Sequence, residues 1–315
     1  MSVSITVNEL YEALQAKLEL VWAAGKLGAQ RIIEASEDED PTISLVGHLN
    51  FIHPHRVQVL GKTELDYLQS LRKNSRKDAI TQLFSGKSDC VVISGGHPVP
   101  DDVRQRAEAT GTPVFASRLN SSELVNNLQY YLTNRFAETV TLHGVFMEVM
   151  GIGVLLTGDA SVGKSELALE LVSRGHRLIA DDAPEFARIA PDILSGTCPE
   201  VLRDFLEVRG LGVLNIRAMF GDSAIKHNKY LRLVIRIQNM SDEQLNLIDR
   251  LRGSARTRTV LGVDIPEVTL PVAPGRNLAV LVEAAARNHI LRLKGYDASR
   301  VFIERQQRHI EQSTP

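Results

Sequence analysis

Cysteine, aromatic residues and net charge are all scarce in this chain. Two cysteines in 315 residues exclude a disulfide-built scaffold, and Cys90 and Cys198 lack the paired spacing of a zinc site or a redox motif. Reading them as reduced structural thiols favours a cytoplasmic address. Lysine and arginine number 36 against 38 aspartates and glutamates, a formal net charge of −2, so there is no broad electrostatic footprint for nucleic acid or a membrane surface. Any anion site must therefore be built from local geometry. No apolar run approaches the ~18 residues of a membrane span, and residues 1–15 lack the basic-then-apolar pattern of an export signal. Tandem repeats and low-complexity tracts are absent as well. With 43% hydrophobic residues, the chain has enough apolar surface to exclude disorder.

At roughly 100–200 residues per domain the length predicts two domains. Residues 8–26 carry apolar positions at helical spacing, with Asn8 as a candidate cap. Short apolar segments at 42–46 and 56–60 follow an acidic stretch and precede a charged helical stretch at 64–73. Residues 90–93 read as a buried strand, 101–109 as a helix, 114–116 as a strand and 121–135 as a closing helix. Strands alternating with helices predict an α/β fold whose first domain, residues 1–133, has a largely parallel sheet; the second is placed at 134–315. There, 139–149 alternates as a strand containing His143, and 151–156 continues as an apolar strand.

That strand leads into Gly158, Asp159, Ala160, Ser161, Val162, Gly163, Lys164 and Ser165, which satisfy G-x-x-x-x-G-K-S/T with a helical stretch after them. In such a loop the backbone N–H groups turn inward to phosphate oxygens, the lysine brings a charge to the outer phosphates and the serine hydroxyl suits magnesium. The apolar run 178–180 then ends in Asp181 and Asp182. Neighbouring side chains on a strand point to opposite sides, so one carboxylate can face a metal or the loop lysine and the other a substrate hydroxyl; a solvated turn is the alternative. Asn228-Lys229-Tyr230-Leu231 lacks the aspartate of a guanine-reading motif, and the strings of the protein-kinase fold are missing.

Three further strings are ambiguous when taken singly. Leu206, Glu207, Val208, Arg209, Gly210, Leu211, Gly212, Val213, Leu214 and Asn215 set an acid and a base before two glycines, read either as sites of close backbone approach or as a turn between strands. Arg250, Arg252, Arg256 and Arg258 form a solvated basic loop or a phosphate clamp. Pro271, Val272, Ala273, Pro274, Gly275 and Arg276 read as a rigid turn ending in a guanidinium.

Together, and in this order, these strings resemble the HPr kinase/phosphorylase family over nearly the whole chain, most strongly from His143 to Arg276. The resemblance implies a C-terminal P-loop kinase domain like the phosphoenolpyruvate carboxykinase core, assembled as a homohexamer. It implies Mg2+-dependent transfer of phosphate from ATP to a serine of the phosphocarrier HPr, and the reverse phosphorolysis, in which inorganic phosphate gives pyrophosphate. The expected setting is regulation of carbon metabolism.

Carried over by motif, residues 158–165 bind the nucleotide phosphates and Ser165 and Glu207 the magnesium. His143, Lys164, Asp182 and Arg250 take the catalytic positions, with Arg252 as the alternative to Arg250. Asp181 and residues 206–215 serve both directions, and residues 271–276 serve dephosphorylation. If buried beside Asp181, Asp182 has a raised pKa. A helical segment at 278–309 is expected at subunit contacts and in docking the carrier. Ala160-Ser161 departs from the Ser-Gly that many relatives carry. A loop-type kinase of a small metabolite and an ATP-gated binding module are the competing readings.

Overall fold

The computed structural model describes residues 4–34, 45–51, 54–85, 87–240, 255–272 and 276–313. The chain divides into two compact units, Met1–Ala137 and Glu138–Pro315.

The first unit runs β1 (Ser4–Thr6), α1 (Val7–Leu14), β2 (Val21–Ala24), β3 (Ile32–Glu34), β4 (Val46–His48), β5 (Val57–Leu60), α2 (Lys62–Ser70), α3 (Lys73–Leu83), β6 (Cys90–Ile93), α4 (Asp101–Thr110), β7 (Val114–Ala116) and α5 (Ser121–Phe136). Its sheet has the order β2-β7-β6-β5-β4, parallel except for β2. Alternation along each strand feeds two cores. Val57, Val59, Val92 and Phe115 face α1 and α5, whereas Leu60, Val91, Ile93 and Val114 face α2, α3 and α4.

The helix expected over 8–26 stops at Leu14, and Val21 belongs to a strand. Its cap is Thr6 rather than Asn8: the Thr6 side chain accepts the Glu9 N–H at 3.2 Å while Glu9 reaches back to the Thr6 N–H at 2.7 Å, a capping box. The charged stretch after residue 60 yields two helices, α2 and α3, broken at Leu71, whose extended backbone (φ −72°, ψ 145°) cannot continue a helix.

The second unit continues with β8 (Thr139–Thr141), β9 (Val145–Val149), β10 (Ile152–Gly158), α6 (Lys164–Ser173), β11 (Arg177–Ala180), β12 (Glu185–Ala190), β13 (Ile193–Thr197), β14 (Phe205–Val208), β15 (Gly212–Asn215), α7 (Ile216–Phe220), β16 (Asn228–Asn239), β17 (Ala255–Val260), β18 (Val263–Val272), α8 (Leu278–Leu293) and α9 (Ala298–Ser313). The expected strand over 139–149 is two strands separated at Leu142–Gly144, so His143 sits in a bend. One mixed sheet runs β11-β9-β10-β16-β13-β12-β8, with β18 also against β16 and β17 against β18. β16 and β18 lie parallel to β10, and β11 is antiparallel to β9 as β10 is. The C-terminal ends of β10, β11, β16 and β18 therefore share one edge.

One face of this sheet packs Val154, Leu156 and Ile235 against Leu167 and Leu171 of α6 and Val282 of α8. The other buries Phe146, Leu155 and Phe186, whose two rings meet edge to face with centroids 4.9 Å apart. Helical spacing over 278–309 resolves into two helices divided at Gly295, whose φ of +83° glycine tolerates best. Among the described residues no helix is long and apolar enough to cross a membrane.

An ionic clasp joins α8 to the segment that follows α6. The Glu283 carboxylate accepts from Arg174 Nε at 2.9 Å and Nη2 at 2.7 Å, and lies 3.0 Å from His176 Nε2. These bonds, the arginine's first, pull its pKa from 4.5 down to about 2. A folded pKa below the unfolded one means that this stabilisation is present above pH 4.5 and is lost as pH falls toward 2. Glu283→Gln is expected to lower stability at neutral pH by up to about 1 kcal/mol, the range of a solvent-screened ion pair. Urea midpoints across a pH series should show the difference between parent and variant shrinking through that acid window.

Candidate active site

The loop between β10 and α6 leaves the sheet at a position that only glycine fits. A Cβ on Gly158 would overlap the Ile237 carbonyl of the neighbouring parallel strand, and its φ is +146°. Gly163, at φ +91°, reverses the chain into α6, whose first N–H groups have no carbonyl one turn back and point their positive ends into the loop. The Lys164 ammonium folds over the loop and donates to the carbonyls of Gly158 and Asp159, each at 3.0 Å. Ser161 holds a left-handed φ of +66°, at a cost of about 1 kcal/mol for a residue with a Cβ. Its hydroxyl accepts Arg209 Nη2 at 2.6 Å, which ties the loop to the β14–β15 hairpin.

Asp181 and Asp182 follow β11 on the same sheet edge. Asp181 is buried: Ser165 Oγ lies 3.4 Å from its Oδ1, and the Glu207 N–H donates to Oδ2 at 2.9 Å. Desolvation is the main force raising its pKa, opposed by the N–H donors of Glu207 and Asp182. Asp182 is exposed, and His143 Nδ1 lies 2.9 Å from its Oδ1. The two aspartates diverge through a left-handed turn at Asp182, φ +65°, rather than through the strand pleat anticipated from sequence. The buried carboxylate of the pair is thus Asp181, and Asp182, for which burial was considered, is exposed.

Backbone pairing sets the contact with His143. The Leu142 N–H donates to the Pro184 carbonyl at 3.0 Å and the Gly144 N–H to the Asp182 carbonyl at 3.1 Å, so the histidine between them meets the aspartate. A cleft of about 270 Å³ gathers His143, Ala160, Ser161, Gly163, Lys164, Ser165, Asp181, Asp182, Glu207 and Arg209. Gly144 and Glu166 also line it and escaped the sequence reading. Their only signals were adjacency to His143 and a place in the first turn after the loop.

Other candidates fall elsewhere. Leu206 and Val208 point into the core, and Leu211 and Val213 are exposed. Leu214 packs partly against the core, and Asn215 caps α7 by accepting the Ala218 N–H at 2.9 Å. Gly210 and Gly212 have φ of +87° and +84°, the left-handed backbone of the hairpin turn, with open space where a Cβ would stand. Pro271 and Val272 end β18 rather than forming a turn, and Arg276 is exposed outside the cleft. Arg256 and Arg258 lie on β17, where Arg258 is 3.9 Å from Glu267. Arg250, Arg252, Ala273, Pro274 and Gly275 lie outside the described residues.

Residues 134–306 match the family model described as the HPr Serine kinase C-terminal domain, and residues 5–132 match the HPr Serine kinase N terminus. The chain belongs to the HPr serine kinase family. The HPr kinase/phosphorylase of Stenotrophomonas maltophilia strain R551-3 is 52% identical over 316 residues, covering 100% of both chains. That of Chromobacterium violaceum is 51% identical over 302 residues, covering 96% of this chain and 95% of its own. A solved structure of the Hpr(Ser) kinase/phosphatase from Coxiella burnetii is 36% identical, covers 52% of this chain and 98% of that one, and has a TM-score of 0.47.

In this HPr kinase family member the Arg209–Ser161 bond is expected to hold the phosphate loop. Arg209→Ala should speed amide exchange across residues 159–163 by about tenfold, the equivalent of one lost charge-assisted bond. Hydrogen exchange read by mass spectrometry, with the β10 amides as an internal reference, measures it.

Proposed function

We propose that the chain is a bifunctional protein serine kinase and phosphorylase that uses ATP to phosphorylate a serine of an HPr-type phosphocarrier and reverses the transfer with inorganic phosphate. Family membership and relatives named HPr kinase/phosphorylase over the full chain support this reading. One observation carries it to the level of chemistry: an exposed carboxylate, Asp182, held by His143 at 2.9 Å, faces the same cleft as the loop lysine and the start of α6. A nucleophile's proton and a phosphoryl group's charge can therefore be handled in one place.

In the forward direction Asp182 accepts the proton of the substrate serine as its oxygen bonds to the γ-phosphorus and the bond to the departing ADP oxygen breaks. His143 orients the carboxylate. Lys164 and the N–H groups at the start of α6 face the charge on the phosphoryl oxygens, and Arg250, or Arg252, supplies a further cation. In reverse, phosphate attacks the phosphoserine, Asp182 returns its proton to the serine oxygen, and pyrophosphate leaves. Residues 271–276 act mainly in this direction.

The donor set of the cleft suits Mg2+, being all oxygen: the Ser165 hydroxyl and the Glu207 carboxylate, with the buried Asp181 carboxyl behind the hydroxyl. Among the described residues no group of three His, Cys, Asp or Glu side chains is placed to hold a metal, and magnesium shared with substrate phosphates needs none. Bound there, the ion would neutralise phosphate charge.

A protein substrate is favoured over a small metabolite by the hairpin beside the cleft, where Leu211 and Val213 are 66% and 67% exposed. Side chains such as Leu291, Leu293 and Phe302 on α8 and α9 remain exposed for subunit or carrier contacts in a homohexamer. Two free thiols, one fully buried, agree with a cytoplasmic protein.

Asp182→Asn is expected to cut transfer to the carrier by about 10²–10⁴-fold while nucleotide affinity stays within about threefold. Phosphoserine formation from Mg-ATP, then pyrophosphate release on adding phosphate, gives the readout. Parental rates in the variant would remove Asp182 as the base, and ATP binding by the parent without transfer would favour a metabolite substrate or a binding module.

A further inference from the structure

The first unit contains a cleft of its own, about 520 Å³, between α3 and α4. Helical spacing builds it: Lys73, Arg76, Lys77 and Ile80 recur on one face of α3, and Asp102, Arg106 and Ala109 on one face of α4. Four cations therefore meet one carboxylate among the described lining residues.

Arg76 and Asp102 neutralise each other. Arg76 Nη2 donates to Asp102 Oδ1 at 2.9 Å, beside a second bond from Nε to Oδ2, and this pairing lowers the aspartate's pKa while raising the arginine's. Lys73, Lys77 and Arg106 have no ion-pair partner among the described residues. Arg106 lines the cleft half-buried, and its Nε finds no acceptor among the described residues. Ile80 and Ala109 add an apolar floor between the cations.

We propose that this cleft binds a small phosphomonoester, with Arg106 bonding the phosphate oxygens, Lys73 and Lys77 balancing its charge and the apolar floor receiving its carbon body. A planar guanidinium fork matches phosphate geometry, and two mobile ammonium groups match a dianion. A volume of about 520 Å³ has room for a metabolite, and a formal net charge of −2 gives the chain no broad electrostatic footprint for nucleic acid.

Glycerol 3-phosphate is titrated calorimetrically into the full-length protein, into Arg106→Gln and Lys77→Gln, and into Lys164→Gln, which disables the phosphate loop of the other unit. The expected result is one saturable site per chain, displaced by inorganic phosphate and weakened by salt. Arg106→Gln and Lys77→Gln should each weaken it about tenfold or more, and Lys164→Gln should leave it unchanged. No hydrogen bond or ion pair joins the Arg106 guanidinium to another side chain among the described residues, and Gln keeps part of its stem, so the fold is expected to tolerate the replacement. Undiminished binding in both Gln variants of this cleft, loss only in Lys164→Gln, or no saturable heat at millimolar ligand would each overturn the proposal.

Discussion

The parallel pairing of β10 with β16 is the constraint on which the cleft depends. It sets Val154–Gly158 beside Leu233–Ile237 and brings the Ile237 carbonyl so near Gly158 that no side chain fits there. The chain must leave the sheet at that point. α6 then packs back on the same face through Leu167, Ala168 and Leu171, and β11 returns beside β9 with Asp181 next to the start of the helix. A backbone that approaches closely at one residue thus sets where the loop lysine, the helix N-terminus and the carboxylates converge. The strand ends at Asn239 and Val272, paired with each other in register, open onto this edge as well. Ligand sites of open α/β sheets collect at the carboxyl ends of strands for this reason.

Two adjacent aspartates acquire different characters from their surroundings alone. Asp181 loses water, gains the Glu207 N–H and has its pKa raised; Asp182 stays in solvent and faces His143. Identical side chains with unlike environments can divide labour, one organising the phosphate end of a site and the other handling a proton. The left-handed backbone of Asp182 separates them, and such strain persists where neighbouring structure over-determines it. The Leu142–Gly144 pairing with 182–184 supplies that support.

The two phosphate sites proposed for this chain are unlike constructions. The loop site uses oriented backbone N–H groups and one lysine, a geometry that needs particular glycines and a particular strand. The α3–α4 cleft uses side-chain cations on helix faces, which any helix pair with the right spacing can present. Only the first leaves a compact sequence motif. A signature string therefore exposes one kind of anion site and is silent about the other.

The same contrast explains what could be read from residue order. G-x-x-x-x-G-K-S and the strand before it were legible because loop, helix start and close approach are local demands, satisfied within eight consecutive residues. The alternating pattern of residues 90–135 was legible because burial on both sheet faces imposes its own spacing. Long-range facts were hidden: α3, rich in lysine and arginine, carries little apolar periodicity, and β14–β15 forms a separate hairpin whose glycines serve a turn. No spacing rule places Arg209 on Ser161 or leaves Arg106 Nε without an acceptor, because each depends on segments tens of residues apart. Local geometry writes itself into neighbouring residues; desolvation and the meeting of distant side chains arise only once the sheets and helices have closed around them.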